Sequence, residues 1–261
     1  MRRLFAASMA VLSMSGCANS PAVPVAARSE LAPTGTLRAG MNLSNTLFTT
    51  KDPATGDLRG VAVDVMRELG SRLGLPVELV VHATPGDVAD AVNKGTWDVA
   101  ILAIEASRAQ TISFSPPISE IEATYAVHKD SPLRSVEQVD APGVRISAPA
   151  KAGYELYLSR ALKNATLVRA KDIAGSLEIF NERRAEAVAG LKPMLLDSMA
   201  KMPGARLLEG RFMAVNHGLS IARGRPAADE YLKQLVQDLN ASGFIARSIE
   251  RHGVQGLSPL K

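Results

Sequence analysis

Val61-Ala62-Val63-Asp64-Val65-Met66-Arg67-Glu68-Leu69-Gly70-Ser71-Arg72-Leu73-Gly74, with the Val77-Glu78-Leu79-Val80-Val81 that follows, decides the fold. Val61, Val65, Leu69 and Leu73 recur every four residues, with Asp64, Arg67, Glu68 and Arg72 between them. That spacing predicts one apolar helix stripe, ended by Gly74. Val77–Val81 then reads as a strand. Upstream, Leu37–Met41 is a first strand, followed by the turn-rich tract Lys51–Asp57. Downstream, Pro85 to Lys94 is a short helix closed by Gly95. Trp97-Asp98-Val99-Ala100-Ile101-Leu102 is nearly continuously apolar, as expected of a buried central strand. Strand, helix, strand, helix, strand is the pattern of a parallel α/β sheet.

The second half of the chain repeats it. Strands are expected at Tyr125–His128, Val144–Ser147, Thr166–Val168, Ala187–Ala189, Arg206–Leu208 and Leu219–Ile221. Helices are expected at Tyr154–Leu162, Ala174–Arg183 and Pro193–Met202, the last opened by a proline in its favoured first turn. A long amphipathic helix carrying Tyr231, Leu232, Leu235, Val236 and Leu239 on one side is broken at Ser242-Gly243. A short helix runs from Phe244 to about Arg251.

At the N-terminus, Met1-Arg2-Arg3 is followed by an apolar run to Met14 that is too short to anchor as a membrane span. It ends at Met14-Ser15-Gly16-Cys17. This resembles the bacterial lipobox, in which the cysteine is lipidated and becomes the first residue; the plainer alternative is an ordinary signal peptide cut nearby. Residues 1–17 are therefore expected to be a lipoprotein signal peptide. Ala18 to about Thr36, rich in Pro, Ala and Ser, is expected to be a flexible tether. The 261 residues are 46% hydrophobic and 21% charged, which suits a globular protein and excludes wholesale disorder. A single cysteine excludes a disulfide scaffold and a multi-cysteine metal site. The net charge is +4, falling to +2 without Arg2 and Arg3, and no Lys/Arg run marks a nucleic-acid surface.

Several stretches, in order, resemble the bacterial family 3 extracellular solute-binding proteins, the polar amino-acid-binding type that serves ABC importers. They are Leu37–Met41, Gly60–Asp64, Gly95–Ala100, Ser107-Arg108, Phe114–Pro117, Val127–Leu133, Gly218–Ala222 and Ala241–Phe244. The resemblance implies the α/β two-lobe periplasmic binding protein fold (type II), with the lobes joined by two hinge strands. Lobe one is expected from about residue 36 to 126 plus 215 to 261, and lobe two from 127 to 214.

Arg108 follows the buried strand, and in open α/β sheets ligands bind beyond the carboxyl ends of strands. Its planar fork fits a carboxylate bidentately. From position alone, Arg108 is either a ligand residue or a surface arginine pairing with Glu105 or Glu120. The resemblance implies the former, with Arg108 on the ligand carboxylate. Other positions depart from the family pattern. The small residue and the threonine that often precede the arginine are Ile101 and Ala103. Backbone N–H groups near Glu105 and Ala106 are expected to serve in place of the missing hydroxyl. Val61 stands where an aromatic commonly packs on the ligand, and Phe48 is the substitute face. In lobe two, Ala150 lies in the turn that often binds a ligand anion, next to Pro149, which has no N–H. Leu191 stands where the family often has an aspartate for an ammonium, and Lys192 follows. A buried ammonium without a counter-charge costs several kcal/mol. Either another acid (Glu186, Glu120 or Asp64) reaches the cleft, or the ligand carries no ammonium. His82, His128, His217 and His252 show no metal-ligand spacing. His217, near the second hinge, reads as a hinge or core histidine or as a group facing the cleft.

The expectation is a monomeric, non-catalytic periplasmic receptor, lipid-anchored through Cys17. It binds an amino acid or related small carboxylate and delivers it to an inner-membrane ABC permease, with no cofactor, metal or nucleic acid. Phe48, Ala103, Glu105, Arg108, Ala150, Leu191 and Lys192 are its expected ligand residues. Two alternatives are a periplasmic enzyme resembling cyclohexadienyl dehydratases, with Glu186 or Glu120 as its acid, and an envelope partner protein with a degenerate cleft.

Overall fold

The computed structural model describes residues 23–260. The signal-peptide and Cys17 expectations lie outside the described residues. In chain order the elements are α1 (Val25–Leu31), β1 (Leu37–Asn42), β2 (Thr50–Lys51), β3 (Leu58–Arg59), α2 (Val61–Leu73), β4 (Val77–His82), α3 (Pro85–Asp90), β5 (Val99–Ala103), β6 (Ile112–His128) and β7 (Arg145–Pro149). The remainder are α4 (Gly153–Ala161), β8 (Thr166–Ala170), α5 (Ile173–Asn181), β9 (Ala187–Leu191), α6 (Lys192–Asp197), β10 (Ala205–Leu207), β11 (Met213–Ala222), α7 (Pro226–Ala241), α8 (Phe244–Arg251) and β12 (Ser258–Pro259).

The main sheet runs β4-β1-β5-β11-β6-β9-β7-β8, with β10 and β12 attached to β6 and β2–β3 a separate hairpin. At each end lies a parallel triplet: β4, β1 and β5 on one side, β9, β7 and β8 on the other. Each triplet is the α/β half-unit that the sequence predicts, and together they make a two-lobe α/β fold. The 17-residue β6 pairs with β11 along its first part and with β9 along its last, so it passes from one lobe into the other.

The predicted α2 stripe is buried in full: Val61, Val65, Leu69 and Leu73 all face the core. Asp98, fully buried before β5, is held by Arg38 of β1. The guanidinium Nε donates at 2.9 Å and Nη2 at 2.7 Å, and the Arg38 backbone N–H donates at 3.0 Å. A buried carboxylate so paired is costly to orphan, and it locks the start of β1 beside the start of β5, at the end of the strands away from the cleft.

Two expectations change. Residues 25–31, assigned to the flexible tether, form α1, because Ala27 and Leu31 present one apolar side that packs on α7. Glu30 adds a hydrogen bond from the Ala228 N–H at 2.8 Å. Second, only Tyr125–His128 was expected to be extended, but β6 begins at Ile112 and includes Pro116 and Pro117. Proline normally argues against an inner strand. Here the register slips on both sides of Gly218, opposite Pro117, and Ser115 Oγ accepts the Leu219 N–H at 3.0 Å. The bulge absorbs the prolines.

Candidate functional site

The carboxyl ends of β1, β5, β7 and β9 converge on one cavity, whose wall includes Asn42, Ala103, Ala150 and Leu191. The space open to the centre of a water-sized molecule is about 70 Å³. At ~15 Å³ per water, that is room for a compact organic molecule. Phe48, Ile101, Ala103, Pro149, Ala152 and Leu191 make much of the wall apolar.

Arg108 sits in a single 3₁₀ turn after β5, 5% exposed. Its Nη1 donates to the Ala103 carbonyl at 3.0 Å and its Nη2 to the Lys151 carbonyl at 2.8 Å. Among the described residues no carboxylate lies within ion-pair distance of it. Burial pulls its pKa down to about 10, while the more distant Glu105 and Asp90 charges act the other way. The site is thus a buried cation on a cavity wall with no anion beside it. A guanidinium has five N–H donors, so the two carbonyl bonds leave donors for a ligand.

Lobe two closes on Arg108 from the far side. Lys151, between β7 and α4, has a left-handed backbone (φ 62°). Its N–H is held by Glu155 Oε2 at 2.8 Å while its carbonyl accepts from Arg108. Its ammonium reaches Asp90 of α3 at 2.5 Å. Gly153, the first residue of α4, lies against Ala103, and a Cβ there would come within 2.5 Å of the Ala103 Cβ. Only glycine permits that approach. Phe48 is placed by a similar constraint. Gly60 (φ 126°) starts α2 so close to the Phe48 carbonyl that a Cβ would overlap it, and Ala62 N–H donates to that carbonyl at 3.0 Å.

Of the residues expected from sequence, the structure brings Arg108, Phe48, Ala103, Ala150 and Leu191 to the cavity. It does not bring Glu105 or Lys192. Neither Glu105 nor Ala106, whose backbone N–H groups were expected to serve, is on the cavity wall, and the Glu105 carboxylate turns to Arg160 of α4 at 2.5 Å, tying the lobes together beside the cavity. Lys192 points into a separate surface groove and pairs with Glu122 at 3.0 Å, because it opens α6 one residue past the cavity wall. The acids expected to reach the cleft are engaged elsewhere. Glu186 binds Arg145 at 2.7 Å, Glu120 binds Arg211 at 2.7 Å, and Asp64 accepts from Ser248, Arg251 and His252.

Sequence reasoning missed Asp172 and undervalued His217. Asp172 is the carboxylate on the cavity wall, and one of its oxygens caps α5 through the Gly175 N–H at 2.8 Å. Its N-cap position before Ile173 was a readable signal. His217 is 6% exposed, lines the cavity, and packs its ring on Phe48 with centroids 4.8 Å apart. Burial and the nearby Arg108 charge push its pKa down to about 3, so the imidazole is neutral at ordinary pH. Among the described residues no group of three or more His, Cys, Asp or Glu could hold a metal ion, and no helix is long and apolar enough to cross a membrane.

Solved structures share this architecture. A mutant form of ArgBP from T. maritima superposes with a TM-score of 0.71 at 21% identity, covering 86% of this chain and 98% of that one. A putative binding component of an ABC transporter from Wolinella succinogenes, complexed with lysine, gives 0.70 at 21% identity, covering 84% and 95%. The ancestral amino-acid-binding protein AncCDT-1, a precursor of cyclohexadienyl dehydratase, gives 0.69 at 23% identity, covering 86% and 97%. No curated protein sequence matches the chain. The model for bacterial extracellular solute-binding proteins, family 3, matches residues 37–255. With that match spanning every strand of the main sheet but β12, and the whole cavity wall, the chain belongs to the family 3 bacterial extracellular solute-binding proteins.

Proposed function

We propose that the chain is the periplasmic binding component of an ABC importer, anchored through Cys17, and that it holds an amino acid or related small carboxylate between its lobes. The observation that carries this reading is the buried Arg108 guanidinium on the cavity wall, with no carboxylate within ion-pair distance of it among the described residues. An uncompensated buried charge costs several kcal/mol, and an anionic ligand offsets it. The similar structures solved with amino-acid-binding proteins favour the same ligand class. Lobe one comprises about residues 36–126 plus 215–261 and lobe two 127–214, with the hinge where β6 and β11 cross.

Within that class, a carboxylate without an ammonium suits the Leu191 side of the site, and Asp172 is the acid on the wall that an ammonium would have to reach. Leu191 lines the cavity, and Glu186, Glu120 and Asp64 are paired outside it. The same pairing weighs against an enzyme, since Glu186 and Glu120 were the acids that reading needed. A thermal-shift screen of amino acids, dicarboxylates and amine-free carboxylates tests the proposal, because a binder stabilises the folded state. Stabilisation by at least one carboxylate supports it. A screen in which none of these carboxylates stabilises the protein refutes it.

A further inference from the structure

Away from strands β6 and β11, three polar links join the two lobes among the described residues, and all three lie on one side of the cavity. Arg108 donates to the Lys151 carbonyl at 2.8 Å, the Lys151 ammonium meets Asp90 of α3 at 2.5 Å, and Arg160 of α4 meets Glu105 at 2.5 Å. The surfaces beneath these links are fitted to one another. Gly86, in the first turn of α3, lies under Lys151, where an added Cβ would come within 2.9 Å of the Lys151 Cβ. Gly153 meets Ala103 in the same way a few residues further on.

Lobe two presents its half of this edge ready-made. One oxygen of the buried Glu155 carboxylate accepts the Lys151 N–H, and the other accepts from Ser159 Oγ at 2.7 Å and from Arg169 Nε at 2.8 Å. That holds the left-handed turn at Lys151 (φ 62°) and so aims its side chain and its carbonyl at lobe one. The Glu105 side chain is 5% exposed, so its pair with Arg160 is screened by solvent less than a surface pair. The opposite mouth of the cleft differs. There Ser44 and Thr46 of lobe one face Ile173, Met194 and Asp197 of lobe two across a groove. Ser44 Oγ turns back to Asn42 at 2.9 Å, and among the described residues no hydrogen bond or ion pair spans that groove.

We infer that the Asp90–Lys151 and Glu105–Arg160 pairs form a latch that holds one edge of the cleft shut without a ligand, so that the closed form is the resting state of the free protein. Each pair joins protein to protein, and neither Asp90 nor Glu105 is on the cavity wall. The latch therefore acts on affinity only through the fraction of free protein that is already closed, and a larger closed fraction binds more tightly. Because it needs the two lobes and no particular ligand, it stands apart from the choice of ligand class.

The test is small-angle scattering of exhaustively dialysed protein in three forms: wild type, the double variant Asp90→Lys with Glu105→Gln, and the charge swap Asp90→Lys with Lys151→Asp. Asp90→Lys sets two ammonium groups against each other where the pair stood, and Glu105→Gln removes the charge that holds Arg160. The swap restores an ion pair at positions 90 and 151, both half-exposed, and aspartate tolerates the left-handed backbone at 151. Wild type should scatter as the closed molecule. The double variant should show a larger radius of gyration, with its open-to-closed ratio raised at least about fivefold, since a single exposed pair is worth up to about that factor. The swap should return to the wild-type radius, and a cooperative thermal melt shows that each form is folded. A folded double variant with the wild-type radius overturns the inference, as does a swap as expanded as the double variant or a wild type that scatters as an open molecule. No ligand enters the experiment, so its outcome is read separately from that of the receptor reading.

Discussion

Replacing Arg108 with alanine separates binding from stability. In the ligand-free protein two effects oppose. The lowering of the Arg108 pKa from 12.5 to about 10 corresponds to roughly 3 kcal/mol of unfavourable burial of its charge. The two hydrogen bonds it donates, to the Ala103 and Lys151 carbonyls, are worth about 1.5–3 kcal/mol each because the donor is charged. Removing the side chain relieves the first and loses the second, so the net change is about 0–3 kcal/mol of destabilisation. At about 2–4 °C per kcal/mol for a chain of this size, the melting temperature of ligand-free Arg108→Ala falls by at most about 12 °C. Binding has no such compensation. Losing a desolvated charged contact costs about 2–5 kcal/mol, roughly thirty- to several-thousand-fold in affinity. Arg108→Lys keeps the charge but not the fork, and it lands between wild type and alanine. Thermal melts with and without ligand, beside calorimetric titrations, read both quantities. A cooperative melt for Arg108→Ala with affinity within threefold of wild type would refute the reasoning, because Arg108 would then be a structural tie between lobes.

Other outcomes follow from the same structure. Leu191→Asp places an acid on the cavity wall and should shift preference toward free amino acids by tenfold or more in competition titrations; an unchanged ranking would place the ammonium elsewhere, with Asp172 the first suspect. His217, held near pKa 3 by burial, binds fewer protons folded than unfolded between about pH 3 and 6.5. Stability is therefore lost as pH falls through that window, by about 2 kcal/mol from pH 7 to 5. His82 is pushed the same way by burial. Denaturant melts of wild type and His217→Phe should show the shallower pH slope in the variant, and equal slopes would mean that His217 titrates normally. Cys17→Ser should move the protein from the membrane fraction to the soluble periplasmic fraction or block its maturation, and fractionation like wild type would remove the lipid anchor.

The parallel halves were legible because each helix stripe and apolar strand is a local pattern, as in Val61–Leu73 and Val99–Ala103. The long hinge strand was not. Pro116 and Pro117 read locally as a break, and only pairing with β11, about a hundred residues away, makes them a bulge. Helix α1 was hidden in a small-residue tract, since its two buried residues gain meaning only against α7. In the site, Arg108 and Leu191 could be placed because they follow predicted strands and the family resemblance gives ligand roles to those positions. Glu105 and Lys192 are near neighbours of such positions, but one turn of backbone sends them to Arg160 and Glu122 instead. His217 reaches the cavity through its cross-strand register with Ala103, a long-range fact that a single sequence does not display.

The central claim is that the cavity binds a carboxylate through a buried guanidinium. Its most direct test is a pair of titrations of the wild-type protein, with the tightest-binding carboxylate of the ligand screen and with the primary amide of the same skeleton. The two differ in charge and hardly in size. The account predicts that the carboxylate binds at least about thirtyfold more tightly. Equal affinity for the amide would contradict it.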